Sequence, residues 1–310
     1  MNFVLVGGGT GISTLLKGLK YFKDIDLKAI VTVTDEGGSS GVLRKEYNII
    51  PPGDIRNNLV ALAKDEEVIG KLFSYRFSEG FLAGHTVGNI MLTALTKIFG
   101  SFTKAVEYLS EVLAINGKVI PVTEDLVRLI AVYDDGTIAY GESEIMNIKM
   151  KRIIRIFLDK KSKINVDASE AIKKADFIIF GPGSLFTSII PNLLVDGFNE
   201  SLEGSKAKLI YVSNLMTQPS ESYNFTLKEH VDEVEKYIGR SVDYIIASNS
   251  KIPEDILKKY QEKGSIPVKI DLIDERVIVE DLAEVKTIDG FNRIRHNSLK
   301  LASVIIGLIR

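Results

Sequence analysis

The chain has 310 residues, 45% hydrophobic and 26% charged, with a formal net charge of −2; this is a globular composition, long enough to bury a large core. Near-neutral charge without a long Lys/Arg run offers a nucleic-acid backbone no broad attraction, so no nucleic-acid partner is expected. The chain has no cysteine, which excludes disulfides, thiolate nucleophiles and cysteine-held metal centres, and its three histidines, His85, His230 and His296, are too scattered for a metal motif.

The first element is an apolar strand over residues 2–6, ending in Gly7-Gly8-Gly9-Thr10-Gly11. Ile12, Leu15, Leu16, Leu19 and Phe22 then follow helical spacing, and residues 29–34 form a β-branched run, which together predict a βαβ unit. That run ends in a second glycine-rich turn, Asp35-Glu36-Gly37-Gly38-Ser39-Ser40-Gly41. Two such turns on neighbouring strands make a ligand cradle, because glycine lets backbone N–H groups and a helix N-terminus approach an anion such as a diphosphate. Neither turn is a familiar fingerprint. A dinucleotide motif would need glycine at Ile12 or Thr14, and a Walker loop would need glycine before Lys17, where Leu16 stands. A plain strand-to-helix turn remains the alternative for residues 7–11.

Helical patterns follow over residues 54–64 and 89–99, each after a glycine or proline loop. The character changes at about 118–160, where runs at 126–133 and 137–142 flank Asp134-Asp135-Gly136 and a further strand covers 152–158. This predicts an antiparallel β insertion within a single 1–310 domain. The α/β rhythm then resumes with a helix to Lys174, a buried-type strand at 177–180 ending in Gly181-Pro182-Gly183-Ser184, and strands at 209–213 and 244–247 ending at Asn214 and Ser248-Asn249. Ligands of open parallel sheets bind beyond the strands' carboxyl ends, where strand order reverses, so these ends are expected to converge with the N-terminal loops. Asn249 alone reads better as a turn or cap. A homodimer is expected from the chain's size class and not from the amphipathic tail over 299–308, which could pack internally just as well. Apolar stretches fall well short of a membrane span and no signal-peptide pattern opens the chain, so a cytoplasmic protein without membrane insertion is expected.

Six motifs in order, GGGTG at 7–11, DEGGSSG at 35–41, PPGDIRN at 51–57, GHTVGN at 84–89, GPGSLFTSIIPNLL at 181–194 and SNLMTQP at 213–219, closely resemble those of the gluconeogenesis-factor (YvcK-like) proteins. That family is related to the 2-phospho-L-lactate transferases. The resemblance implies a Rossmann-like α/β fold, a mostly parallel sheet with helices on both faces. It also implies a nucleotide-sugar ligand of the UDP-N-acetylglucosamine type and a regulatory role in gluconeogenic growth, cell shape and envelope synthesis, with protein partners there. The related transferases instead use a guanosine-nucleotide donor, so a Mg²⁺-dependent transferase is the alternative; a nicotinamide dehydrogenase is a weaker third. The family commonly carries aspartate where this chain has Glu36.

Within that frame Gly8, Gly9, Thr10 and Gly11 would present N–H groups and a hydroxyl to a diphosphate, Gly37, Gly38, Ser39 and Ser40 a second anion nest, and Gly181, Gly183 and Ser184 the far side of the cradle. Asn214 offers a donor and an acceptor that suit a base edge. Asp35 and Asp54 make electrostatic sense near phosphate if they bind Mg²⁺, take a sugar hydroxyl or pair with Arg56; no cofactor is required, and Asp35 is the candidate metal ligand. Capping of the helix near Ile55 is an equal reading for Asp54. Asp35, Asp54 and His85 are the catalytic candidates. Asn89 reads as an N-cap or a ligand contact; Arg44, Lys45 and above all Arg56 could neutralise diphosphate charge, a solvated helix surface being the usual place for such cations; Arg295 and His296 could reach the cleft from the tail, with surface placement the default.

Overall fold

A computed structural model describes residues 1–288 and 290–309. Seven strands build one parallel sheet: β1 (Asn2–Gly7), β2 (Asp26–Val31), β3 (Lys118–Pro121), β7 (Phe177–Phe180), β8 (Lys208–Val212), β9 (Tyr244–Ser248) and β10 (Val277–Glu280), in the order β10-β9-β8-β7-β1-β2-β3. Every neighbouring pair in it is parallel. The inner strands are continuous apolar runs such as Phe3-Val4-Leu5-Val6 and Ile178-Ile179-Phe180, wholly buried, as a sheet covered on both faces requires. From β1 the chain winds one way through β2 and β3; after β7 it winds the other way through β8, β9 and β10. Strand order therefore reverses between β1 and β7, and the carboxyl ends of those strands open the ligand crevice of a Rossmann-like sheet.

The antiparallel insertion is a three-stranded sheet of β4 (Leu129–Tyr133), β5 (Ile138–Tyr140) and β6 (Ile153–Leu158), ordered β5-β4-β6. It begins later than residue 118, because Lys118–Pro121 extends the main sheet: its Val119 and Ile120 are buried and pair with Ala29 and Ile30. A last hairpin joins β11 (Ala283–Ile288) to β12 (Phe291–His296). The helix Ser298–Gly307 then lies on the helix Thr10–Leu19, where Gly18 leaves room for the Ser298 carbonyl and the Ala302 methyl. Leu301, Ala302, Ile305 and Ile306 are buried there, so the tail's apolar face packs internally. Among the described residues no helix is long and apolar enough to cross a membrane.

Candidate functional site

The glycine loops converge because they are fitted into one another. A Cβ at Gly9 would land on Asp54 Oδ1, and one at Gly11 on the backbone carbonyl of Pro182. A Cβ at Gly53 would meet Ser40 Oγ and Asp35. The loop after β1 is thus locked to the loop after β7 and to the helix Gly53–Leu62, which in turn locks to residues 35–40. Two wholly buried asparagines hold the end of β1 from opposite sides: Asn58 donates to the Gly8 carbonyl at 3.0 Å, and Asn192 to the Gly7 carbonyl at 3.2 Å.

Two helices begin in this crevice without a side-chain cap, Thr10–Leu19 behind Gly9 and Gly38–Tyr47 behind Gly37. Their first N–H groups and helix dipoles offer positive potential to an anion. The second loop is held by a small network: the Ser39 hydroxyl lies 2.9 Å from His85 Nδ1 and accepts from Asn89 Nδ2 at 3.0 Å. The N-cap of the helix Val87–Phe99 is Thr86, whose hydroxyl accepts from the Asn89 N–H. That leaves the Asn89 amide to brace Ser39. His85 stands in the same network, one residue removed from the cradle glycines.

Acidic groups dominate the floor. Asp54 sits in the first turn of its helix, whose N-cap position is Pro52, and its carboxyl accepts from the Gly9 N–H instead of capping. Burial, and next the charge of Asp35, push the Asp54 pKa up to about 8. Glu142, contributed by the insertion, accepts from the Glu36 N–H at 2.9 Å and is hydrogen-bonded to Asp35. Burial, then Asp35 and Asp54, push its pKa up to about 9. The two carboxyls that hold protons this firmly, Asp54 and Glu142, both feel the charge of Asp35. Among the described residues no three acidic or histidine side chains are already disposed as a metal-binding set.

The insertion grips Glu36 completely. Arg128 donates to both of its carboxylate oxygens, at 2.6 and 3.2 Å, Ser143 donates to its carbonyl at 3.1 Å, and Glu142 takes its N–H. Glu36 is therefore a strut between loop and insertion. Arg56 is buried behind the floor, donating to Thr86 Oγ1 and Asn57 Oδ1. Arg44 donates to the Val127 carbonyl, while Lys45 is exposed.

On the other side of the crevice Asn214 uses its amide within the protein: Oδ1 accepts from the Gly183 N–H at 3.3 Å and Nδ2 donates to Gln218, which donates to Ser184 Oγ at 2.6 Å. Asn249 pairs through its backbone with Glu280. The tail is not at the surface as expected. His296 is buried against Ser213 with its pKa lowered to about 4, chiefly by burial, and the half-buried Arg295 is likewise lowered by burial. Sequence reasoning missed Asn58, Asn192, Glu142, Glu221 and Ser188, whose hydroxyl a Cβ at Gly8 would meet. Asn192 and Ser188 stand inside a quoted motif, but Glu142 lies outside all six and is brought in only by the folding of the insertion.

The sequence profile of the family described as 2-phospho-L-lactate transferase CofD matches residues 3–287. The putative gluconeogenesis factor of Thermotoga maritima is 52% identical over 309 residues, covering 98% of each chain. The chain belongs to the gluconeogenesis-factor family. The Bacillus subtilis gluconeogenesis factor is 41% identical over 313 residues, covering 100% of this chain and 98% of its own. A crystal structure of a Bacillus halodurans protein superposes with a TM-score of 0.90 at 41% identity, over 98% of this chain and 99% of that one. The family's shared architecture thus extends over both halves of the crevice.

Proposed function

We propose that the chain is a regulatory protein that binds a nucleoside-diphosphate sugar of the UDP-N-acetylglucosamine type at the β1/β7 crevice. The observation that carries this reading is the meeting of two uncapped helix N-termini, at Thr10 and Gly38, beside three crowded carboxyls, Asp35, Asp54 and Glu142. The N-termini suit phosphate oxygens. The carboxyls do not, unless a cation stands between. Carboxyls that burial and neighbouring charge keep protonated, Asp54 and Glu142, would give up those protons to Mg²⁺ held at Asp35 beside them; the ion would neutralise the phosphates and relieve the crowding. A role in gluconeogenic growth is supported by the relatives, which are named gluconeogenesis factors.

The test is thermal unfolding with UDP-N-acetylglucosamine, UDP-glucose, GDP, GTP and NAD, each with and without Mg²⁺, followed by an assay of donor turnover. A ligand at a hundred times its dissociation constant stabilises the fold by about 2.7 kcal/mol. Stabilisation by UDP-sugars without turnover supports the regulator. The same carboxyls and the transferase profile favour a second reading, a Mg²⁺-dependent transferase; stabilisation by guanosine nucleotides with turnover would put it first.

A further inference from the structure

Three helical segments begin at the crevice after glycine loops; at the first two a carboxyl takes the N–H of the N-cap residue, Asp54 that of Gly9 and Asp35 that of Gly37 at 2.8 Å, whereas at the third the N–H groups inside the first turn are taken. The turn Leu185–Ile189, behind Gly181–Ser184, has its free N–H groups already taken by a carboxylate from a distant loop. Glu221 is wholly buried. Its Oε2 accepts from the Phe186 N–H at 3.0 Å and the Thr187 N–H at 3.2 Å, and its Oε1 accepts from the Thr187 hydroxyl at 2.9 Å. A further hydrogen bond comes from the Ser184 side chain. Those N–H groups are the ones a phosphate would use at a helix start.

The backbone of Glu221 is fastened as well. Its N–H donates to the Gln218 carbonyl at 3.1 Å, and its carbonyl accepts from Ile153 of the insertion at 3.2 Å. Gln218 and Asn214 hold Ser184 and Gly183 from the same segment. The whole 213–222 stretch is thus a clamp on the 181–187 loop, with Glu221 at its base.

We infer that Glu221 is a positioning residue of the site, which fixes the Gly181–Ser184 loop and reserves that side of the crevice for an uncharged, hydrogen-bonding part of the ligand, leaving phosphate to the helix starts at Thr10 and Gly38. The inference rests on the nucleotide reading of the crevice. A negative carboxylate at the third helix start repels a second anion there, whereas the remaining hydroxyl and amide groups of Ser184, Gln218 and Asn214 suit a sugar or base.

The groups facing Glu221 are neutral: Ser184, Phe186 and Thr187 from the loop and turn, and the Tyr133 phenol from β4, whose ionisation is held up by burial and then by Glu221 itself. The nearby Arg152 is spent on Glu229 and on the carbonyls of Tyr223 and Asn224. Burial raises the Glu221 pKa to about 7, so the carboxylate that holds the loop is present above neutrality and lost as pH falls through it.

Glu221→Gln keeps the shape and removes the charge. Binding of UDP-N-acetylglucosamine and of inorganic pyrophosphate, each with Mg²⁺, is measured by calorimetry from pH 6 to 8.5, alongside hydrogen exchange of the Phe186 and Thr187 amides corrected for intrinsic rate. In the wild type, nucleotide-sugar affinity should fall and the two amides lose protection as pH drops through neutrality. The variant should lose the amide trend and keep only the part of the affinity trend that comes from proton release at Asp54 and Glu142, should bind the nucleotide sugar about tenfold more weakly at pH 8, and should gain in preference for pyrophosphate. Unchanged pH profiles and ligand preference in the variant would overturn the inference. If Glu221→Gln does not fold, Thr187→Val removes one hydrogen bond and leaves the charge; it should move the wild-type profile to higher pH, and an unmoved profile counts against Glu221. Failure of the wild type to bind any nucleotide would sink the reading of the crevice and the ligand half of the inference with it, while the amide exchange would still decide the positioning role.

Discussion

Asp54→Asn should stabilise the ligand-free protein at neutral and alkaline pH. The carboxyl moves from an ordinary 3.8 to about 8 in the folded chain because burial and then Asp35 oppose its charge. A folded pKa raised above the unfolded one means that the unfolded chain releases the proton first as pH rises. Stability is therefore lost with rising pH between the two values, and no penalty exists below the lower one. At pH 7 the gap is about three units at roughly 1.4 kcal/mol each, or about 4 kcal/mol. Coupling between the Asp54 and Glu142 protons reduces what one substitution recovers, so the expected gain is about 2–4 kcal/mol at pH 7.5 and under about 1 kcal/mol at pH 4.5. Asparagine retains an oxygen to accept the Gly9 N–H, so no hydrogen bond need be lost. Urea denaturation of both proteins in EDTA at the two pH values measures this. A variant that is destabilised equally at both would show that Asp54 matters to the fold as a neutral hydrogen-bonding group, and the electrostatic reasoning would be wrong.

Addition of Mg²⁺ at pH 7.5 should displace about two protons from Asp54 and Glu142; calorimetry in buffers of different ionisation enthalpy reads the number, and binding without proton release would contradict the assigned carboxyls. Gly11→Ala drives a methyl into the Pro182 carbonyl, a contact of backbone with backbone that no rotamer can relieve, and should cost about 1–3 kcal/mol in denaturant melts. Gly307→Ala meets nothing within 4 Å in the last turn of its helix, and the same melts should show a gain of about 0.5–1 kcal/mol. Thr226→Ala breaks the capping box in which Thr226 and Glu229 satisfy each other's backbone N–H groups; a loss of about 1 kcal/mol is expected, and a loss below a few tenths would mean that the helix end is held by its packing alone.

Five of the seven strands of the main sheet were legible because they read as apolar runs such as 177–180, each closed by glycine or a small polar cluster; the edge strand β10 was not, since its half-exposed Val277–Glu280 is short and unpatterned. The insertion was legible from its Asp-Asp-Gly turn, but its start was not, since Lys-Val-Ile-Pro reads equally well as an edge of either sheet and only pairing with Ala29 and Ile30 decides it. Convergence of the loops was expected from the general rule for open parallel sheets, and the strand order that places the reversal between β1 and β7 comes from the fold. What each glycine accommodates was not. Gly9 and Gly11 were read as making way for a ligand, yet their missing side chains also make way for Asp54 and for Pro182, contacts between residues 45 and 171 positions apart that local sequence cannot show. Glu142 and Glu221 escaped for a related reason: each acts through a neighbour distant in sequence, Asp35 in one case and Phe186-Thr187 in the other.

The distribution of charge explains why ligand and insertion should be coupled. Asp35 lies between Asp54 on the sheet side and Glu142 on the insertion side, and the next residue, Glu36, is held through its N–H, carbonyl and carboxylate by Glu142, Ser143 and Arg128. On the proposed function, a cation and phosphate at Asp35 would change the charge that Glu142 feels; an ionised Glu142 keeps its acceptance from the Glu36 N–H but gives up the hydrogen bond that its proton makes with Asp35. Those contacts are also the ones that hold the insertion against the loop. On the proposed function, a ligand in the crevice would act on the insertion through one short segment, 35–36, whose contacts with Glu142, Ser143 and Arg128 would have to differ between the free and the bound protein.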